Sequence, residues 1–231
     1  RRGGLRDLQC AELVVHWLAG ETEWTLVPVR ADDGDDNGPV GGLRLKRPER
    51  FSRGLLVEQQ GPACARMSIR YAAMPHIHCL RAAIDREAGE RPLYTLDRDA
   101  ASVRLGRQVS DGVASFDRGH LVWILRTYDP AISDADMDAL ITATPVPVMP
   151  LTDALAQAGI APPPTIMLID TEGYDGEIIR MMAEADIWPK LIQYEHKHLQ
   201  PNERAHISHL LLGQGYRLRA DHADAWGWRE D

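Results

Sequence analysis

Four carboxylates in this chain stand where apolar runs stop. Asp170 and Glu172 follow Thr165-Ile166-Met167-Leu168-Ile169, Glu195 closes Leu191-Ile192-Gln193-Tyr194, and Glu58 closes Gly54-Leu55-Leu56-Val57. A carboxylate in such a place can accept bonds from hydroxyl groups, take a proton from one, or face a cation. Asp170 and Glu172 are two residues apart, so both face the same way if the chain is still extended there. That makes them, with Glu195, the candidate catalytic acids, set to position an acceptor and receive its proton. The competing role is capping of the following helix, which would need only one of them. His196 and His198 come next after Glu195, and carboxylates with imidazoles also suit a divalent metal. Nothing in the spacing fixes a ligand geometry, so no metal is expected.

The elements that must position these acids are legible around them. An apolar run of this length, with no alternation, predicts a strand buried on both faces, as in a parallel sheet. Gly173 and then a helix carrying Ile178, Ile179, Met181 and Met182 on its apolar side follow the first pair of acids. Upstream, residues 153–160 predict a short helix closed by Gly159, with Pro162-Pro163-Pro164 holding the chain extended before the strand. Downstream, residues 190–195 predict another strand, 203–213 a helix and 215–219 a further strand. Trp226 and Trp228 are expected to cover the sheet. In the first half, 54–58 predicts a strand and 62–73 a helix with Ala65, Ile69 and Ala72 near one face. Residues 77–84 predict a third strand, and 89–96 one in which Pro92 points to an edge. The alternation of strand and helix implies βαβ units with right-handed crossovers. The expected fold is α/β, a Rossmann-like doubly wound, mostly parallel sheet. It forms a single domain over 1–231, with an inserted helical and strand segment at about 91–148 that would roof the site. In such folds an acid after the second strand accepts bonds from ribose hydroxyls, which makes Glu58 a candidate cofactor ligand.

Bulk properties narrow the function classes. Hydrophobic residues at 44% and charged residues at 26% are those of an ordinary globular chain. A formal net charge of −8 argues against general affinity for nucleic acid. No apolar run approaches the ~20 residues of a membrane span, so no membrane partner is expected. Cys10, Cys64 and Cys79 are odd in number and unpatterned, as reduced thiols in a cytoplasmic protein would be.

The segment Leu168-Ile169-Asp170-Thr171-Glu172-Gly173-Tyr174-Asp175 resembles the signature strand end of the FkbM family of S-adenosylmethionine-dependent methyltransferases. The resemblance extends to residues 146–155 upstream, to Glu195 and Gly215-Tyr216 downstream, and to residues 55–58, 82–84 and 114–117 in order and spacing. It covers most of residues 25–220. It implies a class I methyltransferase-like fold, S-adenosylmethionine as cofactor, and O-methylation of a small-molecule or sugar hydroxyl. On the family's pattern Ala31, Gly34 and Glu58 would hold the cofactor, with Ala83 near the adenine and Asp170 at the edge of the same pocket. The family's first motif resembles acid-x-Gly-Ala-Asn-x-Gly, and this chain departs from it. Pro28 stands at the acid, Arg30 at the first glycine and Asp32 at the Asn, while Ala31 and Gly34 remain. The family's Glu-Pro after the second strand is Glu58-Gln59. These departures define the alternative, a non-catalytic methyltransferase-like subunit kept as the partner of an active one. A homo-oligomer is equally compatible with the sequence.

Arg30 brings bulk and positive charge to a turn that would cradle a sulfonium cofactor. Asp32, Asp33, Asp35 and Asp36 are near enough in sequence to draw its guanidinium outward. Arg30→Gly is therefore expected to tighten S-adenosylmethionine binding about tenfold, or ~1.4 kcal/mol, in a calorimetric titration of both proteins. Equal affinities would show that Arg30 does not intrude on the pocket.

Overall fold

The computed structural model of the protein describes residues 17–18, 20–29, 50–109 and 113–230. In chain order its elements begin with β1 (Trp24–Val29), β2 (Phe51–Val57), α1 (Gly61–Tyr71), β3 (Ile77–Leu80), β4 (Ala83–Ile84) and β5 (Gly89–Leu96). Then come α2 (Arg98–Leu105), β6 (Ala114–Ser115), α3 (Arg118–Tyr128), α4 (Asp134–Leu140), β7 (Ile141–Met149) and α5 (Leu151–Gln157). The chain continues through β8 (Ile166–Ile169), α6 (Asp175–Glu184), β9 (Leu191–Glu195), α7 (Pro201–Gly213), β10 (Arg217–Ala220) and β11 (Asp224–Trp228). These divide into two compact units. One runs to Ala88 and resumes at Met149; the other is Gly89–Val148.

The larger unit is built on a sheet in the order β3-β2-β1-β8-β9-β11-β10. Its strands run parallel except β11, which is antiparallel to both neighbours. This is the Rossmann-like, mostly parallel architecture expected from the sequence. The apolar runs of β1, β2 and β8 supply residues to both faces. Val27, Val29, Leu55, Val57, Met167 and Ile169 meet the helices on one side; Leu26 and Ile166 pack with Trp24, Phe51, Leu191 and Trp226 on the other. From α6 the same core takes Ile178, Ile179, Met181 and Met182, from α7 Ile207 and Leu211, and from α5 Leu151, Ala154 and Leu155. Gly159, at φ +63°, ends the α5 region, where Ile160 N donates to Leu155 O at 3.0 Å. Successive strands pass from β1 to β2 and β3 on one side, and from β8 to β9 on the other. The reversal lies between β1 and β8, and ligands of open α/β sheets bind in the crevice outside the carboxyl ends at such a point. Pro28 sits on central β1, opposite Leu168, and removes one ladder donor just before that end.

Three local expectations need correction, and a fourth holds. The segment 77–84 is two short strands, β3 and β4, not one. The buried residues of α1 are Ala63, Cys64, Met67 and Tyr71, while Ile69 is 78% exposed; Pro62 starts the helix, and the face is set by what β2 and β3 offer. Pro92 lies in β5 outside the stretch, Tyr94 and Thr95, that pairs with β6, so no described strand pairs with it on that side, as an edge position requires. It pairs with Pro145, and two residues without N–H can oppose each other where an antiparallel ladder asks for no donor. Finally, Trp226 and Trp228 do not cover the sheet from outside but lie in one of its strands, β11.

The smaller unit has the antiparallel strands β7, β5 and β6 in that order. Beside them α2, α3 and α4 contribute Ala101, Leu121, Leu125, Met137 and Leu140 to a separate core. Each helix has a side-chain cap, from Asp97, Asp117 and Ser133 in turn. Among the described residues no helix is long and apolar enough to cross a membrane.

Gly227 lets β11 fit between its neighbours. A Cβ there would lie 2.9 Å from Ile192 Cγ2 and 3.1 Å from both Leu218 and Tyr216 side-chain atoms. Gly227→Ala is expected to cost about 1–3 kcal/mol through overpacking, read as a lower urea midpoint at unchanged m-value. No loss of stability would mean that this side of the sheet yields freely.

Candidate active site at the ends of the parallel strands

Strands β8 and β9 run side by side with Ile169 opposite Tyr194, so the residues that follow them converge. Asp170 N donates to Val29 O at 3.3 Å, which ties the first acid to the last residue of β1. The chain then turns at once: Glu172 has φ +51° and Gly173 φ +103°. A left-handed backbone costs a residue with a Cβ roughly 1 kcal/mol or more, and such strain persists only where the surroundings hold it.

What holds it is Asp175, in the first turn of α6. This fully buried carboxylate accepts from Thr171 N at 3.1 Å and Thr171 Oγ1 at 2.8 Å through Oδ2. Through Oδ1 it accepts from Glu195 N at 2.9 Å. The loop after β8 and the end of β9 thus share one anchor. Tyr174 adds a second, its hydroxyl donating to Asp85 Oδ1 at 2.9 Å. Neither Asp170 nor Glu172 caps α6; the cap position is Tyr174, which makes no side-chain cap bond.

The turn changes the reason why the acids meet. Two extended residues would have pointed them the same way; instead the left-handed step at Glu172 folds its side chain back toward β9. Oxygens of Asp170, Glu172 and Glu195 lie within 4.8 Å of one another. Asp170 is exposed, Glu172 half-buried and Glu195 buried. His198 Nε2 lies 2.9 Å from Glu172 Oε2 and 3.4 Å from Glu195 Oε2, and Lys197 Nζ is paired with Glu195 Oε1. Burial pushes the Glu195 carboxyl up to about 7; the charges of Asp170 and Glu172 add to this, while the Lys197 bond opposes it. A buried acid adjusted to this range, among like charges, is what proton transfer near neutral pH requires.

The residues expected to hold a cofactor are placed as follows. Glu58 is the residue after β2, fully buried, and its Oε1 accepts from Gln60 N at 2.7 Å. Ala83 is buried in β4. Ala31 and Gly34, with the whole first turn including Arg30, lie outside the described residues. Asp175 and Lys197 were not picked out from the sequence. An acid in the first turn of a predicted helix was the available signal for Asp175, but its reach to β9 is tertiary.

The chain matches no protein-family model, and no curated protein is similar to it in sequence. Among solved structures it is similar to the methyltransferase FkbM from Methylobacillus flagellatus KT, at 13% identity and a TM-score of 0.51. That match covers 90% of this chain and 44% of the other, so the chain spans less than half of that protein's length. An rRNA methylase from Streptococcus thermophilus matches at 8% identity and a TM-score of 0.42, over 95% of each chain. A SAM-dependent methyltransferase from Aquifex aeolicus matches at 9% and 0.41, over 95% of this chain and 87% of the other. At such identities the first likeness shows the fold, Rossmann-like and of the class I methyltransferase type.

Burial raises the Asp175 carboxyl to about 6, with the Asp170 charge adding to it and the Thr171 and Glu195 bonds opposing. A folded-state value above the unfolded one gives stability that is complete below about pH 4 and lost as pH rises through about 6. In Asp175→Asn that loss is absent. The amide nitrogen cannot accept from Thr171, so the variant is also less stable by about 1–3 kcal/mol. Urea denaturation of both proteins between about pH 4 and 8 reads the two effects. Parallel curves would show that Asp175 does not titrate in this range.

Proposed function

We propose that the chain transfers a methyl group from S-adenosylmethionine to a hydroxyl oxygen of a small molecule or sugar. The observation that carries this reading is the convergence of Asp170, Glu172 and Glu195 outside the carboxyl ends of β8 and β9. They lie beside the strand reversal of a methyltransferase-type sheet. The residues present suit the cofactor in kind: Glu58, at the end of the strand beside β1, offers a carboxylate for ribose hydroxyls, and Ala83 a small apolar surface for a flat base. When bound, S-adenosylmethionine supplies an electrophilic methyl on a positively charged sulfur.

The chain's own part is to place an acceptor hydroxyl and dispose of its proton. The proton that this hydroxyl would give up on methylation would pass to the acidic cluster of Asp170, Glu172 and Glu195. Asp170, the exposed member, is the one an acceptor reaches first, and Glu172 is held for it by His198. Orientation of this kind can supply much of the rate, and a positioned acid or base typically adds a further factor of 10²–10⁴.

Asp170→Asn and Glu172→Gln are expected to keep S-adenosylmethionine affinity within about threefold of the wild type. Transfer of labelled methyl to a small-molecule extract should fall by roughly 10²-fold or more. Calorimetry reads the first quantity and label incorporation the second. Unchanged incorporation in both variants would remove the acids from the reaction. A wild-type chain that binds no cofactor would sink the proposal in favour of a non-catalytic subunit.

A further inference from the structure

We infer that Asp170, Glu172 and Glu195 form a binding site for one divalent cation of the Mg²⁺ or Mn²⁺ class. Oxygen-rich donor sets select such hard ions, at metal–oxygen distances of about 2.0–2.6 Å. Donors around one ion then lie no more than about 5 Å apart, and one oxygen from each of the three acids meets that limit, within 4.8 Å of the other two.

Proximity of acids alone would not carry the inference; the state of Glu195 does. Its side chain is 7% exposed, and Oε1 is taken by Lys197. Oε2, however, has no hydrogen-bond partner although it is buried. His198 Nε2 stands 3.4 Å from it, and the same carboxylate belongs to the cluster with Asp170 and Glu172. A buried carboxylate oxygen left without a donor is costly, and two more carboxylates beside it raise that cost. Three acids less the charge of Lys197 leave two negative charges, which a divalent ion balances. His198 then orients Glu172 through its 2.9 Å contact, the kind of outer support that ligating groups are usually given.

Cation binding stands on this geometry, whereas its use rests on the methyl-transfer reading: an acceptor hydroxyl on the ion would lose its proton more readily. The test is titration of the full chain with Mn²⁺, following the electron paramagnetic resonance signal of the free ion. One ion per chain is expected, with Kd on the order of 10⁻⁴ M. Glu195→Gln and Asp170→Asn should each weaken binding at least about tenfold, and Asp138→Asn, at an exposed position in the smaller unit, should leave it unchanged. If Glu195→Gln fails to fold by circular dichroism, Asp170→Asn, at an exposed position, carries the comparison. No bound Mn²⁺, or binding that the cluster variants retain in full, overturns the inference. Calorimetry with S-adenosylmethionine in the presence of EDTA separates the two readings. Cofactor binding without Mn²⁺ binding ends the cation site alone; Mn²⁺ binding without cofactor binding ends methyl transfer alone.

Discussion

The carboxylate of Asp175, shut away from solvent and joined to three donors, ties together two strand ends that the sheet alone leaves independent. Hydrogen bonds along β8 and β9 fix the register as far as Ile169 and Tyr194. Beyond that point the chain after β8 is free to take any turn. By accepting from both Thr171 and Glu195, Asp175 selects one turn and brings the end of β9 to it. A lone buried carboxylate costs several kcal/mol; each bond it accepts gives back about 1.5–3 kcal/mol. The balance is close, so the anchor holds only while all three donors are in place.

That anchor also explains how so many negative groups can be packed together. Asp170, Glu172 and Glu195 would separate if the loop were free, since like charges at this range repel strongly in a partly dry setting. The left-handed step at Glu172 and the elevated carboxyls of Asp175 and Glu195 are forms of one stored cost. Lys197 and His198 offset part of it locally. Farther along the same helix, Arg86 and Arg180 bracket Glu177 at 2.6 and 2.8 Å. They steady α6 from its outer side, where water weakens such pairs.

Much of this was legible in the residues. The apolar run of β8, and the shorter one that closes β2, point to a parallel sheet because burial on both faces accounts for them. Acids directly after such runs mark the ligand end, since every parallel strand ends on the same side. That Asp170 and Glu195 could meet across adjacent strand ends was legible too; how Glu172 joins them was not. Spacing put Asp170 and Glu172 together through an extended chain, whereas the structure does it through a turn whose control lies in a bond to a different strand. Strand β11 was hidden for a related reason: Ala225-Trp226-Gly227-Trp228 is short and rich in Trp, and only the gap between β9 and β10 makes it a strand. Pro92 was read correctly as a place without a strand on one side, since β6 reaches only Tyr94 and Thr95.

The place of β11 bears on the order in which the sheet can be completed during folding. Its two neighbours, β9 and β10, both precede it in the chain, yet neither touches the other in the finished sheet. Until residues 224–228 enter the sheet, β9 therefore has one bare side. An unpaired strand of apolar residues is a template for the wrong partner, whether β10 arriving early or a strand of another nascent chain. The last strand acts as a wedge that must part or forestall those pairings. The tight fit around Gly227 is the shape of a slot that only this strand fills.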